Sequence, residues 1–125
     1  MASAVNWFEI PATDIERAGK FYSTILGVQL EVVQMPTFKT AMFPVDMQQG
    51  ETGGAISQGE GLTPSATGTL VYLNAQPDVQ SVLDRVEAAG GRIVRPKTKV
   101  QMEDGGYYAV IADSEGNKVG LHSMG

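Results

Sequence analysis

Apolar positions run along this chain in two successive rounds of one rhythm. Val5 to Ile10 reads as a strand stopped by Pro11. Thr13 stands three residues before Glu16, the capping-box spacing that predicts a helix start. Ile15, Ala18, Tyr22 and Ile25 then recur at helical spacing, and Gly27 closes that helix. Val28–Val33, Thr37–Phe43 and Gly54–Ser57 read as strands, with the polar, Gly-rich stretch Asp46–Gly54 before the last. The second round opens with a strand over Thr69–Asn74. Pro77 or Asp78 begins its helix, Val79, Val82, Leu83 and Val86 form the buried stripe, and Gly90-Gly91 ends it. Arg92–Pro96, Tyr107–Ala112 and Lys118–His122 are the closing strands, and Asp113-Ser114-Glu115-Gly116-Asn117 is the hairpin turn between the last two.

Each round is therefore βαβββ. Asp14 and Gly27 are thirteen residues apart, as are Asp78 and Gly91, and the rounds end on Gly54-Ala55-Ile56-Ser57 and Gly120-Leu121-His122-Ser123. A repeat of roughly 60 residues is longer than solenoid units and implies a duplicated half-domain. The fold expected is α+β, two tandem βαβββ modules forming a curved mixed sheet around a shared cleft. Residues 1–125 make one domain, with module one about 4–58, a Gly/Ser/Thr/Pro-rich linker 59–68 and module two about 69–123.

The chain has 125 residues, no cysteine and a formal net charge of −5. That length supports a hydrophobic core without staples, and the lack of thiols excludes disulfides and thiolate metal sites. The acidic balance argues against a nucleic-acid footprint. No apolar run reaches the ~18 residues a membrane span needs. Met1-Ala2-Ser3-Ala4 has no secretory pattern, so a cytoplasmic location is expected. Arg95, Lys97 and Lys99 share strand parity and are expected on one face, a solvated one or one that attracts an anion. Gly50–Gly54 lacks the Lys-Ser/Thr of a phosphate loop, and no Gly-x-Ser-x-Gly elbow occurs.

Phe8-Glu9-Ile10-Pro11 leads into Asp14-Ile15-Glu16-Arg17-Ala18-Gly19-Lys20-Phe21-Tyr22 and Leu26-Gly27. The second round carries Val71-Tyr72-Leu73, Gly90-Gly91 and Asp113 through Leu121. These segments resemble the vicinal oxygen chelate superfamily, which includes glyoxalase I, bleomycin-resistance proteins, fosfomycin-resistance enzymes and extradiol dioxygenases. The resemblance spans nearly the whole chain. It implies half-barrel modules around a cleft for a small organic molecule, and a homodimer. It also implies that metal-dependent members hold a divalent ion through His, Glu or Gln on the first and last strands of each module. Carried onto this sequence, those positions fall at Trp7, about Gly54, about Thr69 and Gly120. Indole offers only an N–H donor and glycine no side chain, and the chain has one histidine, so no metal and no other cofactor is expected.

Strand alternation would place Glu9 beside Trp7, and Lys118 and His122 beside Gly120. The candidate catalytic groups are Glu9 and His122, either of them a general base once its environment tunes it. Glu9, on a strand expected to be largely buried, would then need a partner. Trp7, Glu9, Met42, Thr69, Tyr108, Lys118, Gly120 and His122 are the candidate ligand-binding set. Of Tyr107 and Tyr108, one should enter the core and the other line the cleft or an interface. The leading functional expectation is metal-free acid–base chemistry of the lyase or isomerase kind. A non-catalytic, drug-sequestering binder is the rival, and a metal-dependent lyase or dioxygenase with displaced ligands is a third reading.

Overall fold

In the computed structural model, which describes residues 3–125, the chain runs β1 (Trp7–Pro11), α1 (Ile15–Leu26), β2 (Val32–Gln34), β3 (Phe38–Met42) and β4 (Gly53–Gly59), with a turn of 3-10 helix at Met47–Gln49. It then repeats as β5 (Tyr72–Asn74), α2 (Val79–Val86), β6 (Arg92–Lys99), β7 (Tyr107–Ala112) and β8 (Lys118–Ser123). Two four-stranded sheets result, ordered β1-β4-β3-β2 and β5-β8-β7-β6. In each, the first strand lies parallel to the last and the remaining pairs are antiparallel. The fold is the α+β pair of βαβββ modules that the sequence pattern implies.

Several local details differ from the pattern, each for a physical reason. The N-cap of α1 is Asp14, whose carboxylate accepts the Arg17 N–H at 3.1 Å, and the expected Thr13–Glu16 box does not form. Thr13 turns its hydroxyl to Glu115 instead, at 3.0 Å. β2 starts at Val32 because the residues after Gly27 are tied to the helix end. Val28 donates to the Ser23 carbonyl at 3.1 Å and Leu30 to the Ser23 hydroxyl at 3.1 Å. Thr69 lies in the loop before β5, and β6 continues through Pro96 to Lys99.

The two helices pack on each other, α1 against β2–β4 and α2 against β6–β8, and residues of both modules share one core. Phe21 and Tyr22 of α1 are fully buried in it. The modules are also joined by polar contacts from the β7–β8 turn. The Tyr22 hydroxyl donates to Asp113 at 2.7 Å. Asp113 further accepts the Glu115 N–H at 2.9 Å, the Asn117 N–H at 2.8 Å and the Asn117 amide at 3.0 Å. That Asn117 amide also donates to the Pro11 carbonyl at 2.7 Å. Burial, with the Asp113 carboxylate beside it, raises the Tyr22 phenol well above its usual range.

Glu115 reaches across to the start of α1. Its side chain has no exposed surface and accepts the Thr13 and Asp14 N–H groups at 3.0 and 2.9 Å and the Arg17 guanidinium at 2.6 Å. A carboxylate at a helix N-terminus is also favoured by the helix dipole. Burial opposes its ionisation, but the bonds from Arg17, Asp14, Thr13 and Ser114 outweigh that and bring it down to about 2. The turn thus clamps one module to the other.

The modules superpose by role with an offset that the glycines conceal. Ala12 donates to the Ser57 carbonyl and Ala75 to the His122 carbonyl. Ile15 donates to the Gln58 side chain and Val79 to the Ser123 hydroxyl. Ser57 therefore matches His122, and Ala55, not Gly54, matches Gly120. A separate difference lies before α2, where Gln76-Pro77 stands in place of Thr13 alone.

Candidate functional site

Helices cover one face of each sheet and leave the other open. On the first sheet, register places Trp7, Glu9, Thr40, Met42, Ala55 and Ser57 on the open side, while Phe8, Ile10, Gly54 and Ile56 face the helix. On the second, Tyr72, Asn74, Tyr108, Val110, Lys118, Gly120 and His122 are open, while Leu73, Ala109, Ile111, Val119 and Leu121 face the core. The open faces present large apolar side chains to solvent. Trp7 is 38% exposed, Met42 50% and Tyr72 49%.

Glu9 is exposed, so its charge is solvated and the partner expected for a buried carboxylate is unnecessary. It lines a seam cavity of about 210 Å³ with Pro11, Ser65, Thr69, Asn117 and Lys118. Three candidate residues, Glu9, Thr69 and Lys118, meet there. Trp7 and Met42 share the open face of the first sheet with Glu9, and Tyr108, Gly120 and His122 lie on that of the second. His122 is tethered, its Nε2 lying 2.7 Å from the Gly105 carbonyl. A carbonyl only accepts, so Nε2 carries a proton and Nδ1 is the ring atom left to exchange one. Gly105 belongs to the β6–β7 hairpin, which borders a wider groove of about 860 Å³ with Met124.

Tyr107 turns toward the core side under the Lys97 ammonium, 4.6 Å from its ring centre, and Tyr108 faces the open side with Arg95 at 5.9 Å. Arg95 and Lys97 therefore lie on opposite faces, contrary to their shared parity. The register against β7 shifts on both sides of Arg95, and each shift reverses the alternation. Lys97 ends on Asp78 at 2.9 Å, near the start of α2, and lowers that carboxylate.

Tyr72 is the site residue the sequence reading missed. Its ring lies over Gly120, where an added Cβ would come within 2.4 Å of it, and edge-on to Tyr108 at 6.2 Å. In module one the same device points inward, with Phe8 over Gly54 inside the core. Counting from the matched alanines, the positions that the resemblance marks for metal ligands are Trp7, Ala55, Leu70 and Gly120, which replaces the earlier placements at Gly54 and Thr69. None carries a side-chain lone pair for a divalent ion. Among the described residues, no three His, Cys, Asp or Glu side chains converge. The residues present do not fit the superfamily's metal.

The family described as the Glyoxalase/Bleomycin resistance protein/Dioxygenase superfamily matches residues 4–121. A glyoxylase-like domain-containing protein of Didymella fabae is 33% identical over 93 residues, covering 70% of this chain and 69% of that protein. CFP32 of Mycobacterium tuberculosis, named as a glyoxylase, is 29% identical over 93% of this chain, which spans 44% of its length. Among solved structures, a glyoxalase I mutant from Zea mays has a TM-score of 0.72 at 23% identity, covering 94% of this chain and 45% of that one. The fosfomycin resistance protein FosX from Listeria monocytogenes has 0.64 at 19% identity, covering 98% and 92%.

Proposed function

Because the chain belongs to the glyoxalase/bleomycin resistance protein/dioxygenase superfamily, we propose that its open sheet faces form a metal-free cleft for a small organic molecule, closed by a second copy of the chain. The observation that carries this is the exposure of Trp7, Met42 and Tyr72 on faces that no helix covers. Large apolar side chains left exposed on an uncovered sheet face are the kind of surface that ligand grooves and subunit contacts use. Trp7 stands at a position where a metal-dependent relative needs a ligand, and its indole offers a flat ligand a stacking wall.

Within this cleft Glu9 is the general base, a solvated carboxylate on the seam cavity that Lys118 also lines. Its work is proton transfer of the lyase or isomerase kind, with His122 returning a proton through Nδ1. Glu9→Gln with His122→Ala should abolish turnover of a substrate found by screening and leave the circular dichroism unchanged. Full activity in the double variant would remove both residues from the mechanism. Ligand binding itself is followed through Trp7, the one tryptophan of the chain. Sedimentation equilibrium should find a dimer, and a monomer that binds ligand with full affinity would refute the shared cleft. Titration of Zn²⁺, Ni²⁺, Mn²⁺ and Fe²⁺ should show no stoichiometric uptake, and tight binding of one ion per cleft would restore metal chemistry.

A non-catalytic binder is the second reading, favoured by the tether of His122 to Gly105. Saturable, stoichiometric binding without product is its signature.

A further inference from the structure

Charge is divided unevenly between the two open faces. Register turns Arg92, Arg95, Lys118 and His122 to the open side of the second sheet, whose strands place no Asp or Glu there. The strands of the first sheet contribute Glu9 alone to theirs. In a chain of net charge −5 this is a local reversal of sign. A cleft made from both kinds of face keeps an excess of basic groups.

Beside those bases lies an aromatic floor. Gly120 leaves room for the Tyr72 ring to lie down on the sheet, and Tyr108 meets it at 70°. The Arg95 guanidinium sits 5.9 Å from the Tyr108 ring centre, a cation–π contact that steadies its planar fork. Arg95, Val110 and Gly120 are neighbours across three strands, so Arg95 and Gly120 are roughly 10 Å apart at the backbone. Val110 between them is 5% exposed and adds no charge. Lys118 stands two residues along from Gly120 on the same face.

We propose that the open face of the second sheet recognises a small flat organic oxyanion, an aryl carboxylate or aryl phosphonate. Arg95 and Lys118 take the oxyanion, and Tyr72 takes the flat carbon skeleton. Arg95 offers paired N–H donors that match two oxygens of such a group, and Lys118 adds a point charge. This rests on the reading of the open faces as the ligand cleft and gives that cleft its ligand class.

The test is a ¹H–¹⁵N titration of the full chain with benzoate, phenylphosphonate, benzyl alcohol and benzylamine. Benzoate and phenylphosphonate should move the amides of Tyr72, Val110 and Gly120 saturably, and their binding should weaken as salt rises. The neutral and cationic probes should leave those amides in place. Arg95→Glu or Lys118→Glu should each weaken benzoate about tenfold or more, and Gly120→Ala, which lifts Tyr72, should weaken it severalfold. Preference for one anion over the other names the oxyanion. Benzyl alcohol or benzylamine binding as tightly as benzoate, or anion binding indifferent to salt and to both charge reversals, would overturn the oxyanion assignment and leave the cleft reading standing. No response on either face to any probe would overturn both. The salt series on the unaltered chain decides the matter even where a charge reversal fails to fold.

Discussion

Phe8 and Tyr72 do the same thing on opposite sides of their sheets. Each lays an aromatic ring over a glycine of the neighbouring parallel strand, Gly54 in one module and Gly120 in the other. The Phe8 ring lies inside, 5.6 Å from Phe43, and helps to fill the core. The Tyr72 ring lies outside and floors an open face. The two pairs sit one position apart on equivalent strands, Tyr72 taking the place of Glu9 rather than that of Phe8, and a step of one position exchanges the faces of a strand. Duplication thus yields two similar sheets, one whose open face carries Trp7 and Met42 with the single carboxylate of Glu9, and one whose open face is basic and phenolic.

The sharpest break in this comparison removes what the modules share. Asp113→Ala leaves the Tyr22 hydroxyl and the Asn117 amide short of an acceptor, and should cost about 3 kcal/mol or more. Urea unfolding should remain one cooperative transition at a lower midpoint. Two separated transitions would mean that the modules are independent. Next, Gly54→Ala drives a methyl to within 2.3 Å of a packed Phe8 ring and should cost about 2 kcal/mol. Its counterpart Gly120→Ala meets a ring that is free to swing into solvent, and should cost roughly 0.5 kcal/mol or less. Equal losses in the two variants would show that inside and outside do not differ as described.

Acid sharpens the comparison from another side. Glu115 is depressed to about 2 in the folded chain against an ordinary 4.5. The unfolded chain therefore binds its proton first, and the stability Glu115 supplies is complete above about pH 4.5 and lost as pH falls toward 2. Glu115→Gln should flatten this part of the pH dependence in a series of thermal melts. An unaltered acid limb would remove Glu115 as its source. Within the clamp a modest effect is expected from Tyr22→Phe, roughly 1 kcal/mol, since Asp113 keeps three other donors. A null result there would leave the clamp to Glu115.

The two rounds of βαβββ were legible because helix stripes, Gly27 and the turn residues all act over short distances. Which residues met across the modules was not. Glu115 looked like part of a hairpin turn, and its partners lie about a hundred positions earlier in the chain. Nothing local in Thr13-Asp14-Ile15-Glu16 says that the cap will be Asp14 while a distant carboxylate takes Thr13. The error at Gly54 had the same root, since matching glycine to glycine ignores how β4 pairs with β1 and β8 with β5. Alternation carried Trp7 with Glu9 and Gly120 with His122, but it failed at Arg95 and Lys97, where irregular pairing with β7 resets the parity. Tyr72 was readable in principle, since parallel pairing with β8 sets it on Gly120, yet that register joins strands far apart in the chain.

The Glu115 clamp also bears on how the protein is made. A ribosome delivers Thr13, Asp14 and Arg17 about a hundred residues before the carboxylate that binds all three. During vectorial synthesis the first module therefore emerges with this end of its helix unclamped and Tyr22 without its acceptor. The β7–β8 turn supplies those missing partners, so chains truncated before Asp113 should be more protease-sensitive in the first module than the full chain.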